Sequence, residues 1–382
     1  MLSDNYLLTL LNQGENASVE FKQGNVRAEG LAREMIAFSN SYGGTIVVGV
    51  DDEGKILGVD GDKNYEEWVV NISRNNVIPP IHVSCHWVTL QGKGILLVEV
   101  PKGKDRPYQD NSGRFYVRVG STNRIASLYE LMRLFQQGGF YHYDGTEVEG
   151  ALETSLNQTA IERYFHSYDI QYMEMDREEQ LSLLKNTDIV SEQGTVTIAG
   201  LLMFGINPQR FLRNASISFA HYCGDEISGE LIDRKTIEGT LPDQVDATLQ
   251  VIKNNILAPS TIVGLKREER VQYPDRVFRE LIVNACVHRN YSIQGSRIRI
   301  FMFNNRLEFI SPGRLPNTIT PDKLKSGVSY AVNPIIVKFM ENLRYMDKLG
   351  RGLPLVYREA IKQGKRVVFE EIGEEFKVSL FL

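Results

Sequence analysis

Residues 279–292 read RELIVNACVHRNYS, and the reading of this stretch decides the carboxyl-terminal fold. Leu281, Ile282, Val283, Ala285, Cys286 and Val287 cover most of a helical circumference, and a helix apolar nearly all round is a buried one. Glu280, Asn284 and His288 recur every four residues, so they stack along one face of it. A buried polar group without a partner costs roughly 1–3 kcal/mol, and an ion more. Three such groups are a liability in a plain core helix and useful where the stripe faces a ligand. An Asn oxygen is a hard ligand for Mg²⁺, which shares octahedral oxygen coordination with phosphates. A carboxylate one turn earlier can position water. The alternative is that all three groups bond backbone and cap loops.

The order of the following segments favours a ligand. A hairpin, RIRIFMFNNRLEFISPG, turns at Asn304-Asn305 and ends in Ser311-Pro312-Gly313. About forty residues of little regularity come next. Then Lys348-Leu349-Gly350-Arg351-Gly352-Leu353 opens a helix. Gly350 and Gly352 let backbone amides approach phosphates closely, and the helix start adds a positive dipole end.

ELIVNACVHRNYS, LEFISPGRLP and YMDKLGRGLPLV together resemble the divergent, histidine-kinase-like ATPase domain of the GHKL superfamily, in the variant of RecG-like transcriptional regulators. The resemblance implies an α/β sandwich that binds Mg-ATP. In it Asn284 coordinates the metal and Glu280, the catalytic candidate, polarises the attacking water. Ser311 and Gly313 stand at the base-reading motif, and Gly350, Arg351 and Gly352 form the nucleotide loop. A lid of roughly residues 314–348 closes over the site. His288 is either a phosphate or outer contact or a satisfied core histidine. Ser311 departs from the family, where an Asp reads the adenine amino group; a hydroxyl accepts the same bond without charge. Weak ATPase activity is compatible with this set, and the sequence leaves hydrolysis open.

The first module is strand-rich. SVEFKQ, TIVVGVDD, IHVSCHWVTL, GILLVEVP and GRFYVRVGSTNR read as strands, with AEGLAREMIAFSN and SLYELMRLFQQGG as helices. GENASVEFKQGN and FSNSYGGTIVVGVDD resemble the Schlafen AlbA-like domain over about residues 8–135, which implies nucleic-acid binding, DNA ahead of RNA. Arg114, Tyr116 and Arg118 alternate along one strand face, with Arg124 beyond, a pattern suited to a phosphate backbone with some stacking. A solvated face would look the same. Glu15, Glu20, Lys22 and Asp51 are the candidates for a Schlafen-type metal-dependent nuclease site. Against that stands a plain reading: Glu20–Lys22 as a structural ion pair and Asp51-Asp52 as turn residues. His82, Cys85 and His86 point to both sides of a strand and lack a fourth ligand, which argues against zinc.

The 382 residues are divided into a nucleic-acid-binding domain at 1–143, a helical connector at 144–205 and an ATPase-like domain at 206–382, an α/β (α+β) organisation. A net charge of -5 argues against bulk attraction to nucleic acid or membranes, and three scattered cysteines make no disulfide framework. No apolar run approaches the roughly 18 residues of a membrane helix. The expectation is a cytoplasmic, ATP-binding, DNA-binding transcriptional regulator, compatible with homo-oligomers. The two alternatives are a Schlafen-type nuclease gated by the ATPase domain and a scaffold with a degenerate nucleotide site.

Overall fold

The computed structural model describes residues 4–59, 64–227, 229–257, 273–316, 319–328, 330–346 and 352–382. The fold is mixed α/β, in two compact units, Met1–Tyr141 and His142–Leu382. No helix among the described residues is long and apolar enough to cross a membrane.

The first unit has helices α1 (Asp4–Gln13), α2 (Ala28–Asn40), α3 (Tyr65–Asn75) and α4 (Leu128–Gly138). Its strands are β1 (Val19–Lys22), β2 (Gly43–Val48), β3 (Val77–Ile78), β4 (Ser84–Leu90), β5 (Lys93–Pro101), β6 (Gln109–Asp110), β7 (Tyr116–Val119) and β8 (Thr122–Ile125). The main sheet runs β1-β2-β5-β4. Its central strands are apolar on both faces, as a covered sheet requires: Ile46, Val48, Leu96 and Val98 pack with α2 and α3, and Val47, Ile95 and Leu97 with Leu7 and Leu10 of α1. Gln91 and Gly92, at φ 54° and 74°, make the tight β4–β5 turn. GRFYVRVGSTNR, expected as one strand, is the β7–β8 hairpin, because Gly120 at φ 60° reverses the chain between Val119 and Thr122.

The second unit contains α5 (Gln158–His166), α6 (Arg177–Asn186), α7 (Ile198–Phe204), α8 (Leu241–Leu257), α9 (Asp275–Val287), α10 (Pro321–Leu324), α11 (Pro334–Asn342) and α12 (Gly352–Lys362). Its strands are β9 (Ile217–Tyr222), β10 (Leu231–Ile237), β11 (Ile298–Met302), β12 (Arg306–Pro312), β13 (Val367–Ile372) and β14 (Glu375–Phe381), ordered β10-β9-β11-β12-β14-β13. Register aligns Phe219, Ile300, Phe309, Val378 and Phe369 in one row across five strands. All five side chains are buried, and the same core takes in Leu281, Ile282 and Ala285 of α9.

Two expectations change here. Residues 144–205 do not form a separate connector: Leu156, Tyr164, Phe165 and Leu202 belong to the same core as the sheet, since the helices there are apolar on the face they turn to it. The stretch between Gly313 and the glycine loop is also more regular than its sequence, with α10 and α11 in it. Pro at the start of each helix presets its first turn.

Candidate functional site

Helix α9 is held at both ends. The Tyr273 hydroxyl donates to the carbonyl of Phe381 at 2.8 Å beside its start. At its end the buried Asn333 amide donates to the carbonyls of Val287 and Arg289, both at 2.8 Å, satisfying groups that a helix terminus leaves open. Tyr291 donates to Cys286 O at 2.9 Å. Cys286 is wholly buried, and desolvation pushes its thiol up to about 12, so it serves as a small core residue.

The stripe on α9 faces a cleft. Glu280, Asn284 and His288 line it together with Ser311, Gly313 and Gly352. The rest of the lining is largely apolar, including Leu281, Phe309, Ile319, Leu324 and Val378. The unfilled space is about 1170 Å³, solvent-open mouth included. An apolar cleft with a few convergent polar groups is the usual form of a small-molecule site. Gly350 and Arg351 lie outside the described residues, as does Lys348 at the end of the expected lid.

The polar geometry is specific. The Asn284 amide nitrogen donates to the carboxylate of Glu280 at 2.6 Å and to the Glu280 carbonyl at 2.7 Å. Both amide hydrogens are therefore used within α9, and the carboxamide oxygen has no protein partner among the described residues. Gly352, the first residue of α12, lies against Glu280: a Cβ there would fall 1.5 Å from Oε1. Gly313 has φ 123°, and its Cβ would fall 2.9 Å from that of Asn290, so two backbones meet there. The buried Ser311 hydroxyl donates to Ala285 O at 2.8 Å. Its hydrogen is spent on the helix, and its lone pairs remain for a ligand donor. His288 is the C-cap of α9 and half-buried; desolvation pulls its pKa down to about 4, so the ring is neutral at pH 7. The stripe is thus two helical residues and a cap.

The segment expected to form the lid is anchored at its start. Gly313 N donates to Glu374 O at 2.7 Å, Arg314 pairs with Glu374 at 2.6 Å, and Leu315 N donates to Glu371 at 2.8 Å. Leu315, Ile319, Leu324, Val328 and Tyr330 of that segment line the cleft. Sequence reasoning missed Asn333; the Asn-Pro helix start was its only signal.

In the first unit the residues proposed for nucleic acid part company. The Arg118 side chain is 1% exposed, pairs with Glu20 at 2.7 Å and Glu34 at 3.5 Å, and donates to Asn16 O at 2.7 Å and Val19 O at 3.1 Å. Tyr116 is buried and bonds Asp110 at 3.1 Å. The alternating face of β7 thus turns inward, against α2, and Arg118 and Tyr116 are not presented to a phosphate backbone. Arg114 and Arg124 are exposed. Arg33, on α2, stands 5.5 Å from the Tyr116 ring and is a further exposed guanidinium that the sequence did not single out.

The nuclease candidates also separate. Lys22 pairs with Glu20 and, at 3.6 Å, with Glu34; Asn123 donates to Glu34. Desolvation works to lower the Lys22 pKa, but the Glu20 bond and the charges of Glu34, Glu20 and Glu15 outweigh it and raise it. Glu34 is raised by burial and by Glu20. Glu15 accepts from Phe21 N at 3.0 Å, and Asp51 accepts from Glu53 N and Lys55 N, shaping its turn. Among the described residues no group of three or more His, Cys, Asp or Glu is arranged to hold a metal.

Residues 15–127 match the family described as "Schlafen, AlbA_2". Residues 295–380 match the HATPase_c_4 family, described as "Putative ATP-dependent DNA helicase recG C-terminal"; that match begins after α9. Two segments of the chain are therefore similar to two families, an AlbA_2 one and a RecG-related, ATPase-type one. No protein of curated function matches. Among solved structures, the DIP2311 protein of Corynebacterium diphtheriae is similar at 21% identity over 98% of this chain and 68% of that one, TM-score 0.47. The N-terminal domain of a RecG-related protein of Nitrosomonas europaea is similar at 23% identity over 34% of this chain and 95% of that one, TM-score 0.27.

Proposed function

We propose that the second unit binds Mg-ATP in the cleft between α9, β12 and the lid, as a GHKL-type, histidine-kinase-like site, and that binding modulates a nucleic-acid-binding first unit. The chain is then an ATP-responsive, DNA-binding transcriptional regulator. The observation that carries the reading is the Asn284 carboxamide, whose hydrogens are both engaged by Glu280 while its oxygen is left to the cleft. That oxygen suits Mg²⁺, which takes one or two protein oxygens and completes its shell from phosphates and water. Bound there, the ion would neutralise phosphate charge.

Glu280 would orient a water, and Gly352, without a side chain, leaves room for its carboxylate beside the start of α12. The Ser311 lone pairs suit the amino hydrogens of adenine. Neutral His288 can donate or accept without adding charge. Lid closure over the ligand is the two-state element, and it shifts the first unit only if nucleotide affinity differs between the lid's two states. In the first unit the ion-paired cluster around Arg118 argues against phosphodiester cleavage at Glu20 and Lys22, because its carboxylates already have cationic partners.

Calorimetry with ATP and Mg²⁺ on wild type and Asn284→Ala tests this. Binding by wild type, weakened at least about tenfold in the variant, is expected. Equal affinity in both, or binding in neither, overturns it. Added ATP with Mg²⁺ should also change the affinity of the full chain for duplex DNA.

A further inference from the structure

No sequence motif marks Glu341. It lies on α11 one turn after Val337, and the two line the cleft together, while Ile336, Phe339 and Met340 turn into the core. Its side chain is half-buried and has no ion pair or hydrogen bond among the described residues. Glu341 lines the same cleft as the α9 stripe, and the chain just beyond α11 reaches α9. Tyr345, four residues on, has its ring 4.8 Å from the guanidinium of Arg279, the neighbour of Glu280. The Tyr345 hydroxyl is fixed by Asp246 at 2.6 Å, and Met346 lines the same end of the cleft. Among the described lining residues Arg314 is the one cation, and it is tied to Glu374 at the lid root.

An unpaired carboxylate beside a polyphosphate repels it, and a divalent cation between them reverses the sign. Magnesium keeps several of its waters, which makes a carboxylate elsewhere in the cleft lining a suitable partner even without direct ligation. We infer that Glu341 binds the hydrated divalent cation that accompanies the nucleotide and repels nucleotide without it. The cleft then selects the metal complex over the free polyphosphate. This rests on the nucleotide reading above and adds a determinant from the lid side.

The test is titration of the full chain with a fluorescent ATP analogue, in Mg²⁺ and in EDTA at equal ionic strength. Wild type should prefer the Mg²⁺ complex strongly. Glu341→Gln should bind metal-free ATP more tightly and the complex more weakly, lowering the ratio of the two affinities about tenfold. Glu341→Asp should retain most of the ratio, and Glu341→Lys should invert it. An unchanged ratio in Glu341→Gln and Glu341→Lys overturns this inference and leaves the nucleotide reading standing. Wild type that binds neither form overturns both.

Discussion

Two polar sets sit in otherwise apolar surroundings, one in each unit, and they end differently. Around β1 and β7, Glu20, Lys22, Glu34, Arg118 and Asn123 bond one another, two anions against two cations. On α9, Glu280 and Asn284 bond each other, yet they keep an oxygen facing an open cleft. The difference is closure. A set that satisfies itself holds the fold, and a set with an unspent atom facing space can hold a ligand. The sharpest break of this comparison is Arg118→Ala. Removing one partner of a buried ionic cluster leaves uncompensated charge and costs about 3–5 kcal/mol. Trp68 and Trp87 are the two tryptophans of the chain and both lie in the first unit, so urea unfolding followed by their fluorescence reports on it directly. A loss below about 1 kcal/mol would show that the cluster is not structural.

The cleft should respond in the opposite way, with lost binding and little lost stability. Gly352→Ala drives a methyl group into the Glu280 carboxylate, which is the far end of a flexible side chain and can swing aside. Folding should change by less than about 1 kcal/mol, while ATP affinity falls about tenfold because Glu280 and Asn284 are displaced together. Urea midpoints and calorimetry on one preparation check both halves. A variant that unfolds but still binds ATP when folded would reverse the assignment.

Much of this contrast was legible in the sequence. The four-residue spacing on α9, the hairpin ending in Ser311-Pro312-Gly313 and Gly352 at the start of α12 all carry periodic or turn signals, and the structure brings their residues to one cleft. The fate of Arg118 was not legible. Alternation along β7 fixes which residues share a face, but not whether that face meets water or α2, and the partner that decides it, Glu34, lies 84 residues away. Glu341 was invisible for a related reason, and Asn333 showed only as the residue before a proline helix start: each is placed by the packing of α11, and a sequence window around it holds no repeat of its chemistry. Residues 144–205 read as a connector because their helices look self-contained, and only their shared burial with the sheet shows the single core.

The neutral His288 offers a pH test of the same contrast. Its folded pKa, about 4, lies below the unfolded value, so the unfolded chain takes up the proton first. Stability from this group is complete above about pH 6.5 and is lost as pH falls toward 4. His288→Gln removes that component. Compared at pH 7 and pH 5, wild type should lose on the order of 1 kcal/mol more than the variant, after allowance for the partial exposure of the ring. Equal losses would mean that the imidazole is solvated.

The smallest effects belong to the exposed arginines, and they sharpen the comparison because the closed cluster makes a definite demand on them. With Arg118 and Tyr116 turned inward, any contact of the first unit with nucleic acid falls to side chains such as Arg33, Arg114 and Arg124, which stand in solvent. A single exposed guanidinium that meets a phosphate releases about one counterion, so removing it lowers the slope of log affinity against log salt by about 1 and weakens binding only a few-fold. Arg124→Ala and Arg114→Ala should each show this loss, equally on unrelated DNA sequences and without shifting the urea midpoint. Arg118→Lys, which keeps the charge but not the fork that serves Asn16 and Val19, should do the reverse: a lower midpoint with an unchanged salt slope. If the salt slope follows Arg118 and ignores Arg114 and Arg124, the inward-facing cluster opens on binding, and closure no longer separates the two units.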